Sequence, residues 1–227
     1  MKKVALLVSL LQCGLWAAPI LVQTDEAGIR HFVEAVQTPE PVKEKIQLQS
    51  GWRTFSDEVD AAGVLVDKIV NLGKKFWAVI ESGRPVVNVN TQYANALPTG
   101  VRASELEGFS QLQFKSFRHQ GVNFYGVTVY DVTYTLAHRY GGKYQGQGAY
   151  IESATVLPQE VYVAWGYKVN LEVAEVSTVN LGSRENPVAS IAMETRFRVQ
   201  TVLQDFQLNH LHEFRGDRAE ISSTEVQ

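Results

Sequence analysis

The chain has 227 residues and a mass of 25.3 kDa, the size of one domain with a short extension. It is 45% hydrophobic and 20% charged, with a formal net charge of -3. Those values exclude a disordered or collagen-like chain, and they leave no basic field to attract nucleic acid.

Met1-Lys2-Lys3 is a short positive start, and an apolar run follows it from Val4 to Leu11 and on through Gly14 to Ala18. This layout predicts a secretory signal over residues 1–17, cut after Ala17. Gln12 and Pro19 interrupt the run, so a spanning helix of about 20 apolar residues is the weaker reading. Cys13 follows Leu11-Gln12, where a lipoprotein signal places a small residue, so simple cleavage is favoured over lipidation. Cys13 is the only cysteine. A chain cut after Ala17 has no disulfide, thiolate nucleophile or thiolate metal site. The expected location is therefore outside the cytoplasm, periplasmic or secreted, in a bacterial setting.

Residues 18–56 read as a partly flexible lead. Ile29, Phe32, Val33 and Val36 suggest a short helix over Asp25–Gln37, ended by Pro39 and Pro41. A longer helix is predicted from Asp57 to Ser82. Leu65, Ile69, Leu72, Phe76 and Val79 repeat at helical spacing, Ser56 offers an N-cap, and Gly83 follows the end. After Gly83 the period becomes two. Val86 to Val89, Leu112 to Phe117, Val127 to Leu136, Val161 to Val173, Ala189 to Val199 and Phe206 to Phe214 all alternate in the manner of strands. The run from Val161 to Val173 alternates without a break and reads as one strand containing Trp165. Short joins imply antiparallel pairing. The expected fold is mainly β (α+β). One long amphipathic helix packs on an antiparallel β-sandwich or curved sheet of about six or seven strands, within a single domain over residues 57–221. Residues 222–227 form a loose tail.

Catalytic signatures are missing. The sequence holds no Gly-x-Ser-x-Gly elbow and no His-Glu-x-x-His helix. The stretch from Tyr140 to Tyr150 is glycine-rich but lacks a phosphate-loop ending, so a hairpin or bulged turn is expected there. His210 and His212 lie two apart on a predicted strand, so both rings face one side and form a candidate metal pair that lacks an assigned third ligand. All nine tyrosines lie between Tyr93 and Tyr167. Tyr130, Tyr134, Tyr140, Tyr144 and Tyr150 form a candidate binding surface, because a phenol joins a flat apolar body to a polar tip. Arg215-Gly216-Asp217 spells an adhesion tripeptide, although a Gly-Asp turn explains it.

The sequence therefore points to an exported, non-catalytic binding or structural protein. Envelope proteins or glycans are the expected partners, nucleic acid is not, and no cofactor is implied. The alternatives are an exported hydrolase with dispersed acids or histidines, and a membrane-inserting β-barrel or pore former. The barrel is disfavoured by the low number of predicted strands.

Overall fold

The computed structural model describes residues 18–38, 65–71, 76–81, 84–86, 94–202 and 204–226. The expected signal over residues 1–17 lies outside them. Thirteen strands follow in chain order: β1 Ile20–Thr24, β2 Arg30–Val36, β3 Leu65–Asn71, β4 Phe76–Glu81, β5 Arg84–Val86, β6 Ala94–Thr99, β7 Gln113–Val122, β8 Thr128–Tyr144, β9 Gln147–Val163, β10 Lys168–Asn180, β11 Ala189–Gln200, β12 Asp205–Arg215 and β13 Ile221–Val226. They form two sheets. One runs β1-β2-β7-β8-β9-β6-β3 and the other β13-β12-β11-β10-β4-β5. Every neighbouring pair is antiparallel.

One apolar core joins the sheets. Phe117 of β7, Tyr130, Tyr134 and Leu136 of β8, and Ile151 of β9 meet Leu171 of β10, Ile191, Met193 and Phe197 of β11, and Phe214 of β12. Inward and outward residues alternate cleanly along β11 and β12, because successive side chains of a strand point to opposite faces. The outward side carries ion pairs such as Arg118 with Asp131 and Glu34, and Arg196 with Glu194. Such half-exposed pairs contribute little to stability.

The mainly β, antiparallel reading holds, but both predicted helices are wrong, and the thirteen strands are about twice the six or seven expected, because the segments read as helix, lead and tail are strands as well. Among the described residues no α-helix occurs, and the only helical piece is a three-residue 3-10 turn at Ala103–Glu105. Leu65–Asn71 and Phe76–Glu81 are two strands that belong to opposite sheets. Helical spacing of Leu65, Ile69, Leu72, Phe76 and Val79 is also produced by two short apolar strands and the link between them. The local composition, Val64, Val66, Ile69, Val70 and then Phe76-Trp77-Ala78-Val79-Ile80, is β-branched and aromatic, which suits strands. Asp25 to Gln37 becomes a tight turn followed by β2. The predicted tail is also corrected, since Ile221–Val226 pairs with β12 as an edge strand.

The unbroken strand from Val161 to Val173 is in fact two. It divides at Ala164–Tyr167, where the Tyr167 N–H donates to the Ala164 carbonyl and Gly166 takes a φ of 86°. Positive φ at the third position is the demand of a type II turn, and glycine meets it without a Cβ clash. This turn carries the chain from one sheet to the other. Alternation continues through it only by coincidence of spacing.

Candidate functional site

The structure separates the five candidate tyrosines. Tyr130, Tyr134 and Tyr150 are buried, with 1%, 0% and 1% of their surface exposed. They cannot form a binding surface. Inward slots on the long strands β8 and β9 place them in the interior, where Tyr130 and Tyr134 pack between the sheets. Tyr140 and Tyr144 are half-buried, and Tyr144 packs on the smaller cluster of Leu97, Val101, Leu106 and Tyr150.

The histidines follow the same course. All five are buried. His210 and His212 do face the same side, with their rings stacked at 6.1 Å between centroids. His119 approaches His210 edge-on at 5.4 Å. The His212 ring is hydrogen-bonded on both nitrogens, Nδ1 with Ser223 Oγ at 2.9 Å and Nε2 with Thr195 Oγ1 at 3.1 Å. Among the described residues no group of three or more His, Cys, Asp or Glu side chains is placed to hold a metal ion. Burial holds the His138 and His210 rings down to about 4 and His212 to about 3, the last also through repulsion from His210 and Lys115. His119 falls well below its ordinary value by burial and by repulsion from His210 and His212. His31 is lowered by burial as well, against the opposing pull of Asp25 at 3.2 Å. These rings are neutral packing elements at pH 7. His31, for example, stacks on Phe206 at 3.6 Å.

The two charges of the adhesion tripeptide pair with each other on the surface. Arg215 Nη2 pairs with its own Asp217 Oδ2 at 2.8 Å, and the Gly216 N–H donates to the Ala189 carbonyl.

A different group of side chains stands out on the surface. The four most exposed large hydrophobic residues of the described chain are Val202 at 97%, Trp165 at 92%, Tyr125 at 85% and Phe124 at 80%. All four lie on turns at one end of the sandwich. Phe124 and Tyr125 occupy the β7–β8 turn. The end of β9 pairs beside the start of β8, Tyr130 with Val163, so the Trp165 turn is the next turn along. It leads into Lys168, which pairs with Gln200, so the β11–β12 turn with Val202 follows directly. Val127 and Tyr162, both more than half exposed, flank the group. Residues 123–127, 164–167 and 201–204 include no Asp, Glu, Lys or Arg.

The β7–β8 turn has a twin that shows what its backbone needs. In Asn123-Phe124-Tyr125-Gly126-Val127, the Asn123 Oδ1 accepts from the N–H groups of Tyr125 and Val127, both at 3.0 Å. The Gly126 N–H donates to the Asn123 carbonyl, and the Asn123 N–H to the Val127 carbonyl. In Asp25-Glu26-Ala27-Gly28-Ile29, Asp25 Oδ1 accepts from Ala27 and Ile29, and the same two backbone bonds recur. Both glycines have positive φ. An Asx residue first and a glycine fourth are the chemical requirements of this turn. The two residues between them are free, and they are Glu-Ala in one copy and Phe-Tyr in the other. Folding therefore does not account for the aromatic pair.

The candidate site is this turn end, formed by Phe124, Tyr125, Trp165 and Val202. Sequence reasoning missed it because Trp165 occupied an inward slot of an assumed continuous strand. The legible signal was Ala-Trp-Gly-Tyr, a turn-shaped tetrapeptide with an aromatic residue before its glycine. No protein-family model, no curated protein and no solved structure matches this chain.

Proposed function

We propose that the protein is an exported, non-catalytic binding protein of the bacterial envelope or its surroundings, and that it makes contact through the turn end. One observation carries the reading: among the described residues, the four most exposed large hydrophobic side chains share three adjoining, uncharged turns. Scattered exposed hydrophobics are ordinary, but a cluster at one place marks an interaction site. The signal-like Met1 to Ala17 supports export. The five histidines offer no exposed ring to a substrate, since each is buried.

The test is retention on isolated bacterial envelopes. The wild-type protein is expected to sediment with them. A variant carrying Phe124→Ser, Tyr125→Ser and Trp165→Ser should keep its thermal midpoint and remain in the supernatant. Equal retention of the two proteins would remove the turn end from the reading. Mass determination of the processed protein from its host, expected to start at Ala18, tests export.

A further inference from the structure

We infer that the partner of the turn end is the interfacial layer of a lipid bilayer, which the protein touches from one side. This rests on the reading of the turn end as the contact surface, and four features of that end favour a bilayer over a protein groove.

The first is shape. Phe124 and Tyr125, Trp165, and Val202 stand on the tips of three turns and are 80–97% exposed. A protein partner needs a pre-formed pocket for each tip, whereas a fluid acyl layer accepts them all. The second is residue type. Trp and Tyr concentrate where hydrocarbon meets headgroup, because their rings are apolar and their N–H or O–H groups are polar.

The third is charge. The three turns have none, but charged side chains begin just behind them: Arg30 at the start of β2, Lys168 at the start of β10, and the Arg198–Asp205 pair across β11 and β12. At about 3.3 Å per residue, one to three residues of strand put this belt roughly 3–10 Å behind the tips. That profile complements a bilayer, with apolar tips at the acyl boundary and charges among the headgroups, at the depth of roughly 5–10 Å that interfacial segments reach. Glu26, exposed on the charged twin turn at the sheet edge, marks the rim of the contact.

The fourth is the backbone. An unpaired N–H is costly where a tip reaches the acyl chains, which offer no acceptors. Four of the five N–H groups of residues 123–127 are bonded within the turn itself. The Ala164 N–H donates to the Val129 carbonyl and the Tyr167 N–H to the Ala164 carbonyl. The Thr201 N–H donates to the Gln204 carbonyl, and the Gln204 N–H to Thr201 Oγ1. These bonds occupy eight of the twelve backbone N–H groups described in the three turns.

The attachment is peripheral and apolar, so it needs neither anionic lipid nor low salt. The test is co-sedimentation with phosphatidylcholine vesicles, with tryptophan fluorescence read in parallel. Wild-type protein should bind, with little change between about 0.1 M and about 1 M salt. Trp165→Ser should weaken partitioning about tenfold or more, and the triple Ser variant should abolish it. The wild-type emission, after subtraction of the Trp165→Phe signal, should shift to the blue on vesicles and be quenched by brominated acyl chains. Retention on envelopes that is lost after protease treatment of those envelopes, with no binding to vesicles, would overturn the lipid assignment and leave the contact surface standing. Absence of both retention and vesicle binding would overturn both. Self-association through these turns, seen as a dimer that the triple Ser variant dissolves, would replace the bilayer with a second copy of the chain.

Discussion

The two ends of the sandwich solve different problems. At the far end from the aromatic turns, the loop between β10 and β11 and the loop between β12 and β13 carry Arg184, Glu185, Asp217, Arg218 and Glu220, all exposed. These loops are pinned down. Asn180 Oδ1 accepts from the N–H groups of Gly182 and Val188, Asn186 Oδ1 accepts from Gly148, and the Ala149 N–H donates to the Pro187 carbonyl. Gly216 presses against the Ala149 carbonyl so closely that a Cβ there would collide with it. At the aromatic end the turn backbones are bonded as well, but Gly126 and Gly166 have open space around their missing Cβ positions, and the side chains at the tips are exposed. The charged end is constrained by the fold, while the aromatic end has side chains that the fold does not use. Apolar surface kept where folding does not require it is the sign of an outside contact.

Acid should act on the two ends unequally, and it is the largest effect expected. An unfolded histidine titrates near 6.5, and the buried rings titrate lower. Below about pH 6.5 the unfolded chain therefore binds more protons than the fold, and stability falls as pH falls. Each such ring removes about 1.4 kcal/mol per pH unit, down to about 4 for His138 and His210 and about 3 for His212. His138 lies under the charged end, where Nε2 meets the Arg218 carbonyl at 3.3 Å, and among the described residues no carboxylate acts on it. His31 lies under the aromatic end, with Asp25 able to receive its charge. Urea titrations at pH 7 and pH 5 should show a steep loss. The difference should shrink more in His138→Gln than in His31→Gln. Equal stability at the two pH values would break this account of the core.

Next in size is a pair of glycine substitutions. Gly216→Val forces the chain away from Ala149 and should cost about 2–4 kcal/mol. Gly126→Ala meets no neighbour and carries only the strain of positive φ, about 1 kcal/mol. Chemical denaturation of both variants ranks the ends, and the reverse ranking would cancel the contrast. Asn180→Ala removes the acceptor for two backbone N–H groups and should cost about 1–2 kcal/mol, read as a shift in the denaturation midpoint. The smallest change in stability belongs to the aromatic end itself. Trp165→Ser should stay within about 0.5 kcal/mol of wild type, because an exposed side chain loses little packing. A marked loss of stability in that variant would make Trp165 a structural residue.

Much of the sheet was legible in the sequence. Alternation marked β11 and β12 almost residue by residue, since one face of each is buried and the other is wet. The first third was misread because short apolar strands and helices share a spacing over a few residues, and Leu65, Ile69 and Phe76 fit both. The site was misread for a related reason. Tyr130 and Tyr134 looked like surface material because a tyrosine has a polar tip, yet tertiary packing takes whole rings, and the Tyr130 hydroxyl meets His31 Nδ1 at 2.7 Å inside. Trp165 looked internal because alternation ran through its turn. Which face of a long strand is covered depends on partners that are distant in sequence, and that information is not local.

The turn that carries Trp165 also closes one sheet and opens the other. A pull on that tryptophan along the strands would be divided between the β8–β9 ladder, which extends from Tyr130 to Tyr144, and the β10–β11 ladder, which extends from Lys168 to Asn180. Antiparallel ladders pulled along their strands are loaded in shear, so many inter-strand bonds share the force instead of opening one after another. Trp165 is thus a mechanically stiff point of attachment: tension applied at the tip is spread across both halves of the molecule.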